Sequence, residues 1–240
     1  NQMPYRKFTF GSLADLIILE ERLEGRTKQA SSLQDSSLFE SDRTMLGEVQ
    51  LNWFLNNLSD NSTQWKIIGN QVIFSYLNYG RPDFNINLDS WDGYPVERQR
   101  IADHIVSNDI NDVVFITGDT HQSWAFEVNH IPLESDFPIK PYALEFGTPS
   151  INSGNSDERF SNVPLQNLID HENYITDKSI NPHLKYTNTR DHGYLILDFN
   201  REKVQATWKY VKTLIRRDKS IKETIQIESD SKSNKLNKII

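Results

Sequence analysis

No cysteine occurs among the 240 residues, so disulfide bridges and thiolate metal sites are both excluded and the redox compartment is left open. Long apolar runs are missing too. The longest, Leu16-Ile17-Ile18-Leu19, is strand-sized, far short of the roughly 20 residues needed to cross a bilayer, so no transmembrane segment is expected. There is no internal repeat. No basic cluster accompanies the net charge of −7, and a nucleic-acid binder would carry one. A phosphate ligand stays compatible with that charge, because a metal site can hold phosphate on a protein of either sign. No signal-peptide pattern stands at Asn1, although the abrupt start leaves room for one in a lost upstream segment. What is present is a globular balance of 37% hydrophobic and 25% charged residues, and five Trp supply large apolar surfaces for a core.

Periodicity gives the organisation. Tyr5 to Phe10 alternates as a strand does, and Gly11-Ser12 marks a turn. Leu13 to Leu19 is apolar enough for a strand buried on both faces. Residues 25–42 are polar and predict a long surface loop. Leu51, Phe54, Leu55 and Leu58 recur at helical spacing. Trp65 to Ile68 predicts a strand, continued by Val72-Ile73-Phe74. Pro95 suits the first turn of a helix whose apolar side is Val96, Ile101, Ile105 and Val106. Val113 to Ile116 is a short buried strand, expected at the centre of a sheet between the strands at Leu13–Leu19 and Trp65–Ile68. This alternation argues for an α/β sheet with crossover helices. Later, Tyr194–Phe199 and Val204–Tyr210 predict a hairpin turning at Asn200-Arg201, with Val204, Ala206, Trp208 and Tyr210 on one face. Lys222–Glu228 adds a strand. Residues 1–228 read as one domain and 229–240 as a polar tail.

The sharpest chemical signal is Thr117-Gly118-Asp119-Thr120-His121, directly after the strand ending at Ile116. Ligands collect at the carboxyl ends of strands in open α/β sheets, and Gly118 allows a tight turn there. Asp119 and His121, two residues apart, can converge on one ion, and a carboxylate with an imidazole suits iron, manganese, zinc or calcium. The plain alternative is a turn-capping aspartate beside a surface histidine. Ser150 lacks the Gly-x-Ser-x-Gly setting of a nucleophile elbow. His104, His130, His171, His183 and His192 show no metal-type spacing.

Eight pieces in order carry a resemblance. They are Arg6-Lys7-Phe8-Thr9-Phe10-Gly11 with Leu13 to Leu16, then Leu19-Glu20-Glu21-Arg22, and Met45 to Gln50 with Trp53. Trp65 to Val72, Asp89 to Pro95 with Arg98, and Gly118 to Trp124 follow, then Glu145 to Ser153, and Asn181-Pro182-His183 through Gly193-Tyr194. Together they resemble the alkaline phosphatase D family (PhoD-like) of the calcineurin-like metallophosphoesterases. The resemblance implies the fold class, α/β: a mixed two-sheet sandwich flanked by helices, here with its N-terminal part missing. It implies metal-dependent hydrolysis of phosphate monoesters or diesters, phospholipids among them, with iron and calcium as the metal ions and manganese or zinc as alternatives. An extracytoplasmic location, periplasmic, secreted or surface-associated, is implied as well.

On that resemblance Asp119 and His121 correspond to the superfamily's last ligand motif, usually Gly-His-x-His. Asn70 and Gln71 fall where another ligand stands, or else are an amide pair satisfying loop backbone. Arg22 either grips a phosphate oxygen with its planar fork or pairs with a carboxylate. Trp91, within Asp89 to Tyr94, either covers substrate as part of a lid or packs beneath a loop. Two departures qualify the match. Glu20-Glu21-Arg22 replaces the usual Asp-Thr-Arg, and the family's upstream Asp-rich motifs have no counterpart before Gly118. The expectation is therefore a phosphoric ester hydrolase whose present segment is inactive by itself. The alternative is a non-catalytic half serving as a binding or structural module.

Overall fold

The computed structural model describes residues 3–81, 84–129 and 140–239; His130 lies outside them. Strand β1 (Arg6–Phe10) turns at Gly11 into β2 (Ala14–Ile18), its antiparallel partner. Helix α1 (Gly47–Leu58) leads to β3 (Trp65–Gly69), and α2 (Pro95–Ser107), with Pro95 in its first turn, leads to β4 (Val113–Thr117). After β5 (Ser123–Val128), β6 (Ala143–Gly147) and β7 (Leu184–Asn188), the sheet order is β1-β2-β3-β4-β6-β5-β7. Strands β2, β3, β4 and β6 are parallel, so their carboxyl ends share one rim. Between β6 and β7 lie a single helical turn, α3 (Ser156–Arg159), and helix α4 (Leu165–Ile175).

Strand β4 is central, but its neighbours are β3 and β6 rather than β3 and β2; β2 lies beyond β3. The missed neighbour, β6, hides an acid in its middle, since Glu145 stands fully buried between Leu144 and Phe146. Val72-Ile73-Phe74 does not continue β3. Its residues are buried in a loop, and the N–H groups of Val72, Phe74 and Ser75 donate to Glu21 and Glu145 carboxylates at 3.0, 2.8 and 2.7 Å. Buried backbone must find partners, and here two acids replace a neighbouring strand.

The second sheet is antiparallel: β8 (Gly193–Phe199), β9 (Lys203–Val211), β10 (Ile221–Asp230) and β11 (Asn237–Lys238), in the order β11-β10-β9-β8. Val204, Ala206, Trp208 and Tyr210 are fully buried at strand period against Trp65, Val114 and Phe146 of the first sheet. On that sheet's other face, Ile17, Ile68 and Phe115 pack against Leu51 and Phe54 of α1 and Ile101 of α2. The result is the mixed α/β, two-sheet architecture that the sequence pattern predicts. Val106, counted on the apolar side of α2, is instead half exposed.

The described part of the predicted tail, residues 229–239, is not a free polar tail. Ser229 and Asp230 end β10, and β11 pairs with it. Ser231 and the Lys232 N–H bond to Asp112, while Lys235 and the Leu236 N–H reach Glu127. These ties run through polar groups, which a hydropathy pattern cannot register. Elsewhere, Gly25 and Gly47, both left-handed at φ +72° and +73°, pass back to back. A Cβ on Gly25 would sit 2.5 Å from the Gly47 Cα, so the loop after β2 is pressed onto the first turn of α1.

Candidate functional site

The loop leaving β4 turns sharply over very few atoms. The Thr120 N–H donates to the Gly118 carbonyl at 2.8 Å, and Asp119 between them has φ +67°. That is a γ-turn with a positive central φ, the rarer and strained form. His121, at φ +63°, is left-handed as well. Two non-glycine residues in that region within three positions are costly and typify functional loops. Gly118 is not where the strain lies. It keeps an ordinary φ, and a Cβ there would meet only the Gln71 carbonyl at 3.9 Å, so the tight turn rests on Asp119 and His121 instead.

Both side chains are exposed, and each is oriented by a different neighbouring loop. Asp119 Oδ1 accepts from Arg22 Nη2 at 3.1 Å. Arg22 Nη1 donates to both oxygens of Asp89 at 2.9 and 2.8 Å, and Arg26 reaches Asp89 at 2.6 Å. Partial burial opposes ionisation of Asp89, but hydrogen bonds and charge from the two arginines hold its carboxyl below the usual range. Arg22 thus bridges two carboxylates at the rim. His121 Nδ1 lies 3.1 Å from the Gly154 carbonyl. A carbonyl only accepts, so Nδ1 carries the proton, and in the neutral ring Nε2 holds the lone pair. A histidine held through its other nitrogen by a backbone carbonyl is prepared to ligate.

The other sequence-predicted residues are committed to holding the loop, Asn70 and Trp91 buried and Gln71 exposed beside them. Asn70 is buried, its amide donating to the Val72 carbonyl while its Oδ1 accepts from Trp91 Nε1 at 3.2 Å. Gln71 Oε1 accepts the Glu21 N–H at 2.7 Å. Trp91 is fully buried, edge-on to Phe74 with centroids 5.2 Å apart, and donates to Glu21 at 3.0 Å. Its ring is packing under the loop and covers no substrate, because none of it reaches the surface. So the structure brings Asp119 beside Arg22 and Asp89, and turns Asn70, Gln71 and Trp91 to supporting the loop.

Sequence reasoning missed that support. Glu21 is fully buried, and burial pushes its carboxyl up to about 7 despite hydrogen bonds from Trp91, Val72 and Gln71. Glu145 is likewise raised by burial while it accepts from Phe74, Ser75 and Thr117. For Glu145 the signal was an acid within an apolar stretch; Glu21, in Glu20-Glu21-Arg22, carried no such mark.

The loop after β6 is held by a line of groups from Ser150 Oγ to His192 Nδ1 at 3.1 Å and from His192 Nε2 to Glu158 at 2.8 Å. Ser150 also donates to the Ser153 carbonyl at 2.5 Å, a commitment of its proton that a nucleophile would not make. Among the described residues, Asp157, Glu158 and His192 are the group of three metal-competent side chains within 4.8 Å of one another. Both His192 nitrogens are already engaged, and Glu158 also accepts the Asn155 N–H at 2.7 Å. The cluster fastens the loop that carries Gly154. Neither Asp119 nor His121 belongs to such a group among the described residues.

The donors still fit a metal ion: a solvent-facing carboxylate and an imidazole with a free lone pair suit hard or borderline cations. The family described as PhoD-like phosphatase matches residues 1–208. Alkaline phosphatase D of Bacillus subtilis (strain 168) is 35% identical over 195 residues, which cover 75% of this chain and 32% of that protein. The solved structure of PhoD matches with a TM-score of 0.82 at 27% identity, over 100% of this chain and 44% of that one. The chain therefore spans about a third of the length of the curated relative.

Proposed function

Because this chain belongs to the family of PhoD-like phosphatases, we propose that it contributes part of a metal-dependent phosphoesterase site. Asp119 and His121 are its ligands and Arg22 its phosphate-facing cation. The observation that carries this reading is His121, whose Nδ1–H is held by Gly154 and whose Nε2 lone pair is thereby directed away. Iron with calcium is the metal set we favour, with manganese or zinc as alternatives. When bound, such an ion supplies positive charge to a phosphoryl oxygen. The chain's own residues do the positioning. Gly154 fixes the imidazole tautomer, the γ-turn presents the Asp119 carboxylate, and Arg22 neutralises it until substrate or metal competes. The planar fork of Arg22 matches phosphate as well as carboxylate. The substrates would be phosphate monoesters or diesters, phospholipids among them, in an extracytoplasmic setting.

Two ligands from one loop bind an ion weakly, and a two-metal centre shares several ligands across about 3.5–4 Å. Turnover by this chain alone is accordingly expected to be slow. The test is calorimetric or spin-resonance titration with Mn²⁺, alongside assays on a chromogenic phosphomonoester and phosphodiester with iron, manganese and calcium supplied. Weak Mn²⁺ binding that disappears in both Asp119→Ala and His121→Ala is the expected result. Binding untouched by either substitution would sink the ligand assignment. Vigorous turnover abolished by Asp119→Ala would instead overturn the slow-turnover expectation.

A further inference from the structure

The hairpin between β9 and β10 ends in a tip, Lys212-Thr213-Leu214-Ile215-Arg216-Arg217-Asp218-Lys219, unlike the rest of the surface. Ile215 is 98% exposed and Leu214 44%. Four cations and one carboxylate surround them, a local basic cluster that the net charge of −7 conceals and that corrects the expectation of none. Among the described residues, none of Lys212, Arg216, Arg217 or Lys219 forms an ion pair. Single exposed aliphatics are ordinary. Two adjacent ones at the apex of a hairpin, with cations on both sides, have the composition of an interfacial anchor.

The tip also has a definite place. Trp208 Nε1 donates to the Gly147 carbonyl at 3.0 Å and the Tyr210 hydroxyl to Ser123 at 2.8 Å, so β9 ends at the rim that carries Asp119 and His121. The Val211 N–H donates to the His192 carbonyl at 2.8 Å, and Lys222 pairs with Asp191 at 2.6 Å. The tip therefore stands on the loop whose His192 fastens the Gly154 segment.

We propose that this hairpin tip docks the protein on an anionic lipid surface, with Ile215 and Leu214 entering the interface and the four cations meeting lipid headgroups. The aliphatic apex decides among anionic partners. It offers no aromatic face on which nucleic-acid bases could stack, whereas hydrocarbon accepts a side chain with nothing polar to bond. Acidic residues elsewhere on the chain oppose the approach little, because charges beyond about 8 Å are screened at physiological ionic strength. Docked this way, the β4 rim would lie at the membrane side. This inference is independent of the phosphoesterase reading.

The experiment is co-sedimentation of the chain with phosphatidylcholine vesicles and with phosphatidylcholine–phosphatidylglycerol vesicles, at low and physiological salt. Binding to the mixed vesicles alone, weakening as salt rises, is expected. Ile215→Asp, at a site too exposed to disturb folding, should weaken it at least tenfold. Arg216→Ala and Arg217→Ala should each weaken it about fivefold. Failure to bind the anionic vesicles at low salt overturns the proposal. So does binding that Ile215→Asp leaves unchanged, or binding that a single-stranded oligonucleotide displaces equally from the wild type and Ile215→Asp; the last would mark a general polyanion site.

Discussion

Strand β4 is bracketed by two aspartates that share a positive φ, Asp112 at +57° and Asp119 at +67°, and they have opposite fates. Asp112 is buried and its carboxylate is used up, accepting from Lys232 N–H at 2.5 Å, Ser231 at 2.8 Å and Gln64 at 3.3 Å. Asp119 is exposed and holds one shared arginine. A positive φ therefore does not by itself mark a site; unspent ligand capacity does. At the amino rim Asp15 and Lys66 repeat the first pattern, buried together with Thr9 and Thr63 around them. Beneath the carboxyl rim, Glu21 combines the two conditions, buried like Asp112 but supporting the loops around Asp119.

That intermediate case gives the largest expected effect. Burial raises the Glu21 pKa from 4.5 to about 7, so between those values the unfolded chain has lost a proton that the folded one keeps. Its contribution to stability is then complete below pH 4.5 and is lost as pH rises to about 7, by up to about 3 kcal/mol. Urea unfolding of wild type and Glu21→Gln across that window should show a slope in the first that flattens in the second. Equal slopes would mean that the three donated N–H groups keep the Glu21 carboxylate ionised.

A smaller effect sharpens the contrast directly. Asp112→Ala should lower stability by about 2 kcal/mol, from stranded donors and an alanine forced to positive φ, while Mn²⁺ binding is unchanged. A loss of metal binding without a loss of stability would reverse the roles assigned to the two ends of β4.

The smallest effect belongs to Asp119→Gly. Glycine relieves the γ-turn, and the exposed pair with Arg22 contributes little, so the unfolding free energy should stay within about 0.5 kcal/mol of wild type while Mn²⁺ binding disappears. A drop comparable to that of Asp112→Ala would make Asp119 a staple.

How much of this the sequence disclosed follows from the same physics. Strands β2, β3 and β4, helices α1 and α2 and the β8–β9 hairpin announce themselves because apolar period and turn residues are local signals. Asp119 and His121 stood out because they follow a buried strand directly. Strand β6 was obscured by Glu145, and Val72 to Phe74 looked like a strand because a buried acid can satisfy backbone as a ladder does. Asn70, Gln71 and Trp91 have residue types that fit a site equally well. Only contacts remote in the chain, Gln71 and Trp91 with Glu21 at separations of 50 and 70 positions and Asn70 with Trp91 at 21, commit them to the loop, and no local pattern encodes that. Residues 229–240 were read as a tail since their anchors, Asp112 and Glu127, lie more than 100 positions away.

The crossing of Gly25 and Gly47 has a consequence for how this protein can vary. Most packing conflicts have a genetic remedy, in which an enlarged residue is accommodated when its neighbour shrinks. Here each residue's neighbour is already the smallest, and the contact is backbone against backbone, 2.5 and 2.8 Å from the Cβ atoms that alanines would introduce. No second-site suppressor can arise at the contact itself. A revertant of either substitution would have to move the loop that carries Arg22 or the helix start that carries Gly47. The two positions should therefore behave as a single inherited unit, tolerant of nothing, next to a helix free to drift only on its solvent face.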